Sequence, residues 1–323
     1  MRSMKKTALF LAMASATAFV NAETIEIPAP TFYGKMNVSQ EFIQQEDAGS
    51  YSELNSNASR LGVKGNFELN EAITAFYQAE FQIGVDGDQT DKVDIDGEEI
   101  KYSSAFTKRN TFLGAKGSFG KVQAGIFDSA LKASQKKVDQ FNDLQADIKN
   151  FVTNSDNRVK NVVRYQSPSL AGVVLTFDHI NSEDETVANS QSMSAAFTQD
   201  MVYVAVAHDI GVEGAGIDVT RVVGQLNLDG GIQLGALWET EDDNGESNDG
   251  MMVSAAVKAA SKVKLKAQYA SSDIRKEGAT QITLGADYKL AKNAKVFGYV
   301  SDSETDADSS GMQVFAVGAE YKF

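Results

Sequence analysis

Apolar and polar side chains alternate along almost the whole chain. In residues 60–69, one face carries Leu61, Val63, Phe67 and Leu69, while the other face is polar. A period of two is typical of a β-strand with one apolar face. About 16 such segments of roughly 9–13 residues occur, the length of a tilted strand that crosses a bilayer. They begin near residues 30, 59, 71, 105, 119, 157, 171, 190, 201, 216, 231, 249, 262, 278, 293 and 311.

The last segment raises the question of what covers its apolar face. Residues 315, 317, 319, 321 and 323 are apolar, while Glu320 and Lys322 lie between them. An unpaired apolar strand at a sheet edge promotes aggregation. Closure of the sheet into a barrel removes the edge, and lipid can then cover the apolar face.

The connections between segments alternate in length. Short ones are residues 70–71, 117–120, 167–171, 199–200, 229–230 and 291–292, and long ones are 44–58, 85–104, 128–156, 181–189, 241–249 and 302–310. Transmembrane barrels have short periplasmic turns and long external loops. The sequence therefore predicts an all-β fold, a 16-stranded antiparallel transmembrane β-barrel.

Residues 1–22 have the pattern of a secretory signal peptide. Arg2, Lys5 and Lys6 precede an apolar stretch, and Val20-Asn21-Ala22 forms a small-residue cleavage site. We expect cleavage before Glu23 and a single barrel domain over residues 23–323. The chain has no cysteine, so its stability does not depend on disulfide bonds.

If the apolar face meets lipid, the polar face lines a water-filled interior. With about 16 strands, such an interior is wide enough for a channel. Alternation places these cations inside: Lys35, Arg60, Lys64, Arg109, Arg158, Lys160 and Arg164. Their apolar neighbours are expected to face lipid: Leu61, Val63, Phe112, Val163 and Tyr165.

Three stretches resemble the general porins of Gram-negative outer membranes. They are residues 106–125, residues 158–168 with their Ser-Pro turn, and the closing Tyr321-Lys322-Phe323. The resemblance implies a homotrimer in outer-membrane lipid and lipopolysaccharide, with assembly machinery that recognises Phe323. It also implies passive diffusion of ions and small hydrophilic solutes, and a third external loop folded into the pore.

The third loop contains the one helical period of the chain after residue 22. Phe141, Leu144 and Ile148 recur at three and four residues, and Asp139, Asp143 and Asp147 recur at four. We expect a short amphipathic helix that aims these carboxylates at the basic wall formed by Lys35, Arg60, Lys64, Arg109, Arg158 and Arg164. The alternative is an external helix with a solvated acidic face.

The second long loop is dense in carboxylates. Asp94, Asp96 and Glu98 are candidates for a Ca²⁺ or Mg²⁺ site that bridges to lipopolysaccharide, and a solvated loop is the alternative. No other cofactor is expected. Acidic external loops also repel nucleic acid, which we do not expect as a partner.

Catalytic motifs are missing from the sequence. It has no cysteine nucleophile, no His-Glu-x-x-His and no Gly-x-Ser-x-Gly. We therefore expect no enzyme activity. The alternatives to a porin are an outer-membrane barrel enzyme such as a lipase, a soluble secreted adhesin, and a substrate-selective channel with aromatic side chains along its lumen.

Overall fold

The computed structural model describes residues 28–46, 48–87, 90–95, 98–103, 106–306 and 311–323, with the backbone alone at 90–95 and 98–103. The predicted signal peptide lies outside the described residues. The strands are β1 (Thr31–Gln45), β2 (Gly49–Ser56), β3 (Arg60–Asn70), β4 (Ile73–Gln82), β5 (Thr90–Ile95), β6 (Glu98–Ser103), β7 (Thr107–Gly117), β8 (Gly120–Asp128), β9 (Arg158–Gln166), β10 (Val173–Ile180), β11 (Ser190–Gln199), β12 (Val202–Ile210), β13 (Ile217–Leu228), β14 (Ile232–Asp243), β15 (Glu246–Val257), β16 (Val263–Ser272), β17 (Ala279–Ala291), β18 (Ala294–Glu304) and β19 (Met312–Lys322).

The strands form a closed antiparallel barrel. Apart from the separate β5–β6 hairpin, each barrel strand pairs with its neighbour in sequence, and β1 pairs with β19 from Lys35 opposite Lys322 to Gln45 opposite Met312. β2 and β3 both pair with β1 and act as one interrupted strand, which gives 16 barrel strands. The predicted fold class is confirmed, and each predicted segment start lies within three residues of an observed strand start.

Two predicted loops are wrong because strands continue through them. β2 occupies most of residues 44–58, and the interruption before β3 is a kink at Ala58, whose φ is 51°. There, the Asn57 N–H donates to the Asn37 carbonyl at 2.8 Å and Ser59 Oγ accepts from the Asn37 N–H at 2.9 Å. Residues 241–249 belong mainly to β14 and β15, with a tight turn between them.

The outer surface of the barrel is apolar. Phe32, Leu113 and Phe315 are 78%, 62% and 51% exposed, and Val163 and Tyr165 are exposed as predicted. A band of exposed apolar side chains suits contact with lipid tails. Among the helices in the described residues, none is long and apolar enough to cross a membrane.

Phe112 differs from the prediction because of a β-bulge. The register between β4 and β7 shifts between Ala79 and Phe81, which turns Phe112 to the inside of the barrel. Its ring packs edge-on against those of Phe76 and Phe127, at centroid distances of 6.1 and 5.9 Å. An extra residue in one strand reverses the inward and outward alternation beyond it.

The third long loop, residues 129–157, fills part of the interior. It contains two short helices, α1 (Ala130–Ser134) and α2 (Ile148–Phe151). The predicted short amphipathic helix through Asp139, Asp143 and Asp147 is wrong, because residues 139–147 form turns. Phe141, Leu144 and Ile148 are nevertheless buried against the barrel wall.

The interior is only partly polar, which differs from the expected wet lumen. Val138, Ile148 and Val152 of the loop pack on an inward apolar patch that includes Leu237 and Met252. Phe141 and Leu144 pack on a second patch with Phe297 and Tyr299. The loop therefore covers the wall of β12–β19 and leaves the opposite wall, β3 to β9, facing open space.

Candidate pore constriction

A charged opening lies between the loop of residues 129–157 and the wall of β3, β4, β7 and β9. It encloses a cavity of about 560 Å³. Three arginines on three strands form the wall side of the opening: Arg60, Arg109 and Arg158. Each was expected to face the interior, and the structure brings all three together.

Glu80 organises the arginine wall, and sequence reasoning did not single it out. Its carboxylate accepts hydrogen bonds from Arg109 Nε at 2.7 Å and Tyr33 Oη at 3.0 Å, and Arg60 Nε lies 3.7 Å away. Arg109 also donates to Gln82 Oε1 at 2.8 Å. Glu80 lies at an inward position of β4, but only cross-strand register shows which arginines it meets.

Arg158 forms the second half of the wall. Its Nη2 lies 3.1 Å from Asp128 Oδ1, and its Nε donates to Asn110 Oδ1 at 2.6 Å. The side chains of Arg60 and Arg158 are 25% and 20% exposed. Their guanidinium groups therefore remain accessible to ions in the opening.

Lys35 joins the wall to the loop. Its Nζ donates to Asp143 Oδ2 at 2.7 Å, across one side of the opening. Burial raises the pKa of Asp143, but the charge and hydrogen bond of Lys35, with the charges of Arg60 and Arg109, outweigh it and hold the pKa below its ordinary value. Asp143 therefore stays ionised at neutral pH.

The other two predicted loop carboxylates turn into the loop itself. Asp139 accepts the N–H groups of Phe141 and Ile148, and Asp147 caps α2 by accepting from the Lys149 N–H. Burial raises the pKa of Asp139, and burial raises the pKa of Asp147 to about 6. Both carboxylates hold the loop in shape, and only an edge of Asp147 reaches the opening.

The loop instead presents lysines to the opening. Lys136 and Lys149 are exposed there, and Lys132 lies 3.1 Å from Asp156 Oδ2 and 3.7 Å from Asp128 Oδ1. The prediction of an acidic loop that faces a basic wall is therefore wrong, because the loop also brings lysines to the opening. The basic run in the sequence around Lys136 was the available signal for these lysines.

Three cations that were predicted to face the interior do not line the opening. Arg164 makes a bidentate ion pair with Asp178, at 2.5 and 2.6 Å, and Asp178 also accepts from the Ala130 N–H at 2.9 Å. Arg164 therefore supports the start of the loop. Lys64 lies 4.9 Å from the ring centroid of Tyr33, and Lys160 is exposed on β9.

The predicted metal ligands cannot be placed as a site. Asp94 and Glu98 lie in the β5–β6 hairpin, of which only the backbone is described, and Asp96 lies outside the described residues. In the part of the chain that the structure describes, no group of three or more His, Cys, Asp or Glu side chains could hold a metal ion.

Comparison with known proteins identifies the family. The family model for Gram-negative porins matches residues 8–308. The chain belongs to the Gram-negative porin family. The porin is 29% identical over 201 residues to the major outer membrane protein P.IB of Neisseria sicca, and 28% identical over 149 residues to that of Neisseria meningitidis serogroup B. The matches cover 57% and 43% of this chain, but only 50% and 38% of those relatives, so the chain spans half or less of their length.

Solved porin structures share the fold of this porin. The anion-selective porin from Comamonas acidovorans superposes with a TM-score of 0.74 at 21% identity, covering 91% of this chain and 99% of that one. OmpF of Salmonella typhi, solved with daunomycin, gives a TM-score of 0.70 at 16% identity, covering 92% of this chain and 100% of that one.

The family fixes the location and excludes two alternatives. As a Gram-negative porin, the protein resides in the outer membrane, like relatives named major outer membrane proteins. It is a porin and not a barrel enzyme, and its transmembrane barrel is not the fold of a soluble secreted adhesin.

Proposed function

We propose that this porin forms a water-filled channel for passive diffusion of ions and small hydrophilic solutes. The observation that carries the proposal is the charged opening between the loop and the wall that contains Arg60, Arg109 and Arg158. A barrel whose lumen is narrowed but not filled leaves a path for water. No cofactor takes part, and a divalent cation at Asp94, Asp96 and Glu98 stays a prediction.

The opening selects solutes by size and polarity. Charges on both sides of a narrow gap orient water and polar solutes, whereas an apolar solute must displace ordered water without replacing its hydrogen bonds. Ion pairs such as Lys35–Asp143 fix the loop at one edge and so limit the width of the gap.

The lining favours anions modestly. It contains six cationic and five carboxylate side chains. Among the carboxylates, Asp147 is buried against the loop backbone, whereas the lysines Lys136 and Lys149 are exposed. A structurally similar porin is described as anion-selective, which supports the same preference here.

We further propose a homotrimer in outer-membrane lipid and lipopolysaccharide. A related fold, OmpT of Vibrio cholerae, has been solved in a trimer form, with a TM-score of 0.67. We also propose that residues 1–22 are removed and that assembly machinery recognises Phe323. The backbone of Phe323 exchanges two hydrogen bonds with Gly34, at 2.9 and 3.1 Å, so the terminal residue helps to close the barrel.

Single-channel recording in a planar bilayer tests the proposal. We expect large open steps that close in three equal decrements, and a reversal potential in a KCl gradient that favours chloride by about twofold to fivefold. Insertion without current would overturn the channel. A reversal potential that favours potassium would overturn the ion preference alone.

A further inference from the structure

A second charged cavity lies at the periplasmic ends of β15 to β19. Its volume is about 400 Å³, and it is separate from the constriction. Seven lysines and two carboxylates line it, so its formal charge is strongly positive. Five of these lysines form no ion pair with either carboxylate: Lys258, Lys262, Lys264, Lys289 and Lys292.

Both carboxylates of this lysine cavity are already engaged. Asp287 lies 3.0 Å from Lys295 Nζ and 3.0 Å from Lys266 Nζ, which reaches it from farther along β16. Glu320 lies 3.0 Å from Lys322 Nζ. Within the described ranges, no carboxylate forms an ion pair with the remaining five lysines, although Asp287 is opposite Lys264 in the pairing of β16 with β17.

The strand register places like charges directly opposite each other. Lys289 of β17 is opposite Lys295 of β18, and Lys322 of β19 is opposite Lys35 of β1. Like charges at directly opposed positions destabilise a sheet. Lys295, Lys322 and Lys35 each have a carboxylate partner, so the uncompensated charge of these pairs is that of Lys289, which a bound anion would relieve.

The lysine cavity also contacts the loop that forms the constriction. Lys264 Nζ donates to Gln140 Oε1 at 3.0 Å, and Lys266 Nζ donates to the Gln140 carbonyl at 3.1 Å. Gln140 is therefore held by Lys264 of the cavity lining and by Lys266, two residues farther along β16. An anion in the cavity therefore lies close to Gln140 of this loop.

We propose that the lysine cavity is a binding site for small multivalent oxyanions that enter from the periplasmic side. Two or more negative oxygens can bridge lysines on neighbouring strands, whereas a monovalent anion neutralises only one. Lysine is a compact point charge on a flexible stem, which suits phosphate or carboxylate groups held at several angles. The role of the site in transport rests on the proposed channel, but the binding itself does not.

Calorimetry on the full-length, detergent-solubilised porin tests the site, with inorganic pyrophosphate as the probe. We expect pyrophosphate to bind more tightly than acetate, and the triple variant Lys258→Gln, Lys289→Gln, Lys292→Gln to bind it at least about tenfold more weakly. The matched control is Lys276→Gln, an exposed lysine in the loop at the opposite end of the barrel, which should change affinity by less than about twofold.

Two further experiments test whether binding depends on the lysine charge and whether the site is reached from the periplasmic side. A triple lysine-to-arginine variant at the same positions retains the charge, so it should bind pyrophosphate and show that the glutamine variant lost charge and not fold. In a bilayer, pyrophosphate on the periplasmic side should reduce chloride current at a lower concentration than pyrophosphate on the external side.

The outcomes separate the site from the channel. Unaltered binding by the glutamine variant, or no binding by the native porin, would overturn the site even if current flows normally. Pyrophosphate binding without any open channel would instead overturn the proposed function and leave the site standing.

Discussion

At the scale of single residues, Glu80 decides how much positive charge the constriction presents. Its carboxylate accepts hydrogen bonds from Arg109 and the hydroxyl of Tyr33 and forms an ion pair with Arg60. A lone carboxylate among three donors offsets one cation and leaves the wall basic. Its burial means that it acts mainly through these partners and less by direct contact with passing ions.

We predict that Glu80→Gln increases the anion preference of the channel. The amide keeps hydrogen bonding to Tyr33 but leaves Arg60 and Arg109 without their negative partner. Removing one charge at about 4 Å changes an interaction by about 1 kcal/mol in water, so the chloride-to-potassium permeability ratio should rise by up to about fivefold. Reversal potentials in a KCl gradient measure the change.

Glu185→Gln is the matched control for this substitution, because Glu185 is exposed in the loop between β10 and β11. It removes the same charge far from the opening. An equal shift in the two variants would contradict a specific role for Glu80. Resistance of each variant to unfolding by SDS shows whether the barrel is intact.

At the scale of elements, the loop of residues 129–157 is attached along its whole length. Its start is held by Asp178 and Ser192, which accept from the Ala130 and Leu131 N–H groups. Its end is held by Ser272 Oγ, which donates to the Val152 carbonyl at 2.7 Å, and by the buried Arg221–Glu239 pair against Thr153. Phe141 is the main apolar anchor of its middle part.

We predict that Phe141→Ala loosens the middle of the loop without unfolding the barrel. The ring of Phe141 is fully buried, packs 5.8 Å from that of Tyr299 and lies under the ammonium group of Lys266 at 4.5 Å. Loss of a buried phenylalanine ring costs about 3–5 kcal/mol. Trypsin should then cleave after Lys136 or Lys137 at least about tenfold faster than in the native porin.

Phe177→Ala provides the comparison for this loop prediction. Phe177 is 42% exposed on the outer surface, so its loss removes apolar area without touching the loop. Cleavage in this variant should remain at the native rate. If Phe141→Ala is cleaved as slowly as the control, the polar contacts at the two ends are sufficient to hold the loop.

The strands were predictable from sequence because alternation is a local signal, but register is not local. The kink at Ala58 requires a positive φ, which no residue pattern marked. The bulge opposite β4 turned Phe112 inward, and pairing across strands brought Glu80 to its arginines.

In the loop, the spacing of Phe141, Leu144 and Ile148 was correctly taken as one buried face. The predicted helix does not form, because the side chains of Asp139 and Asp147 accept hydrogen bonds from backbone N–H groups that would donate to backbone carbonyls in a helix.

At the scale of the whole molecule, charge is divided along the barrel axis. The periplasmic end carries the lysine cavity and a further opposed pair, Lys116 and Lys121. Turns and strand ends at the external end are rich in carboxylates: Glu183, Asp184, Glu185, Asp242, Asp243, Glu246, Glu304 and Asp306. The lumen therefore joins a mouth that attracts cations to a mouth that attracts anions.

This division predicts a rectified current at low salt. With the external side positive, anions from the periplasmic mouth and cations from the external mouth are both driven toward the middle, where ions accumulate. The opposite polarity depletes them, so the current should be smaller. The screening length falls from about 30 Å at 0.01 M salt to about 3 Å at 1 M, so the asymmetry should fade over that range.

A triple variant, Asp242→Asn, Asp243→Asn, Glu246→Gln, removes charge from one external turn and should reduce the ratio of the two currents. Equal currents in the native porin at 0.01 M salt would show that the charges at the two ends do not act on the ion path.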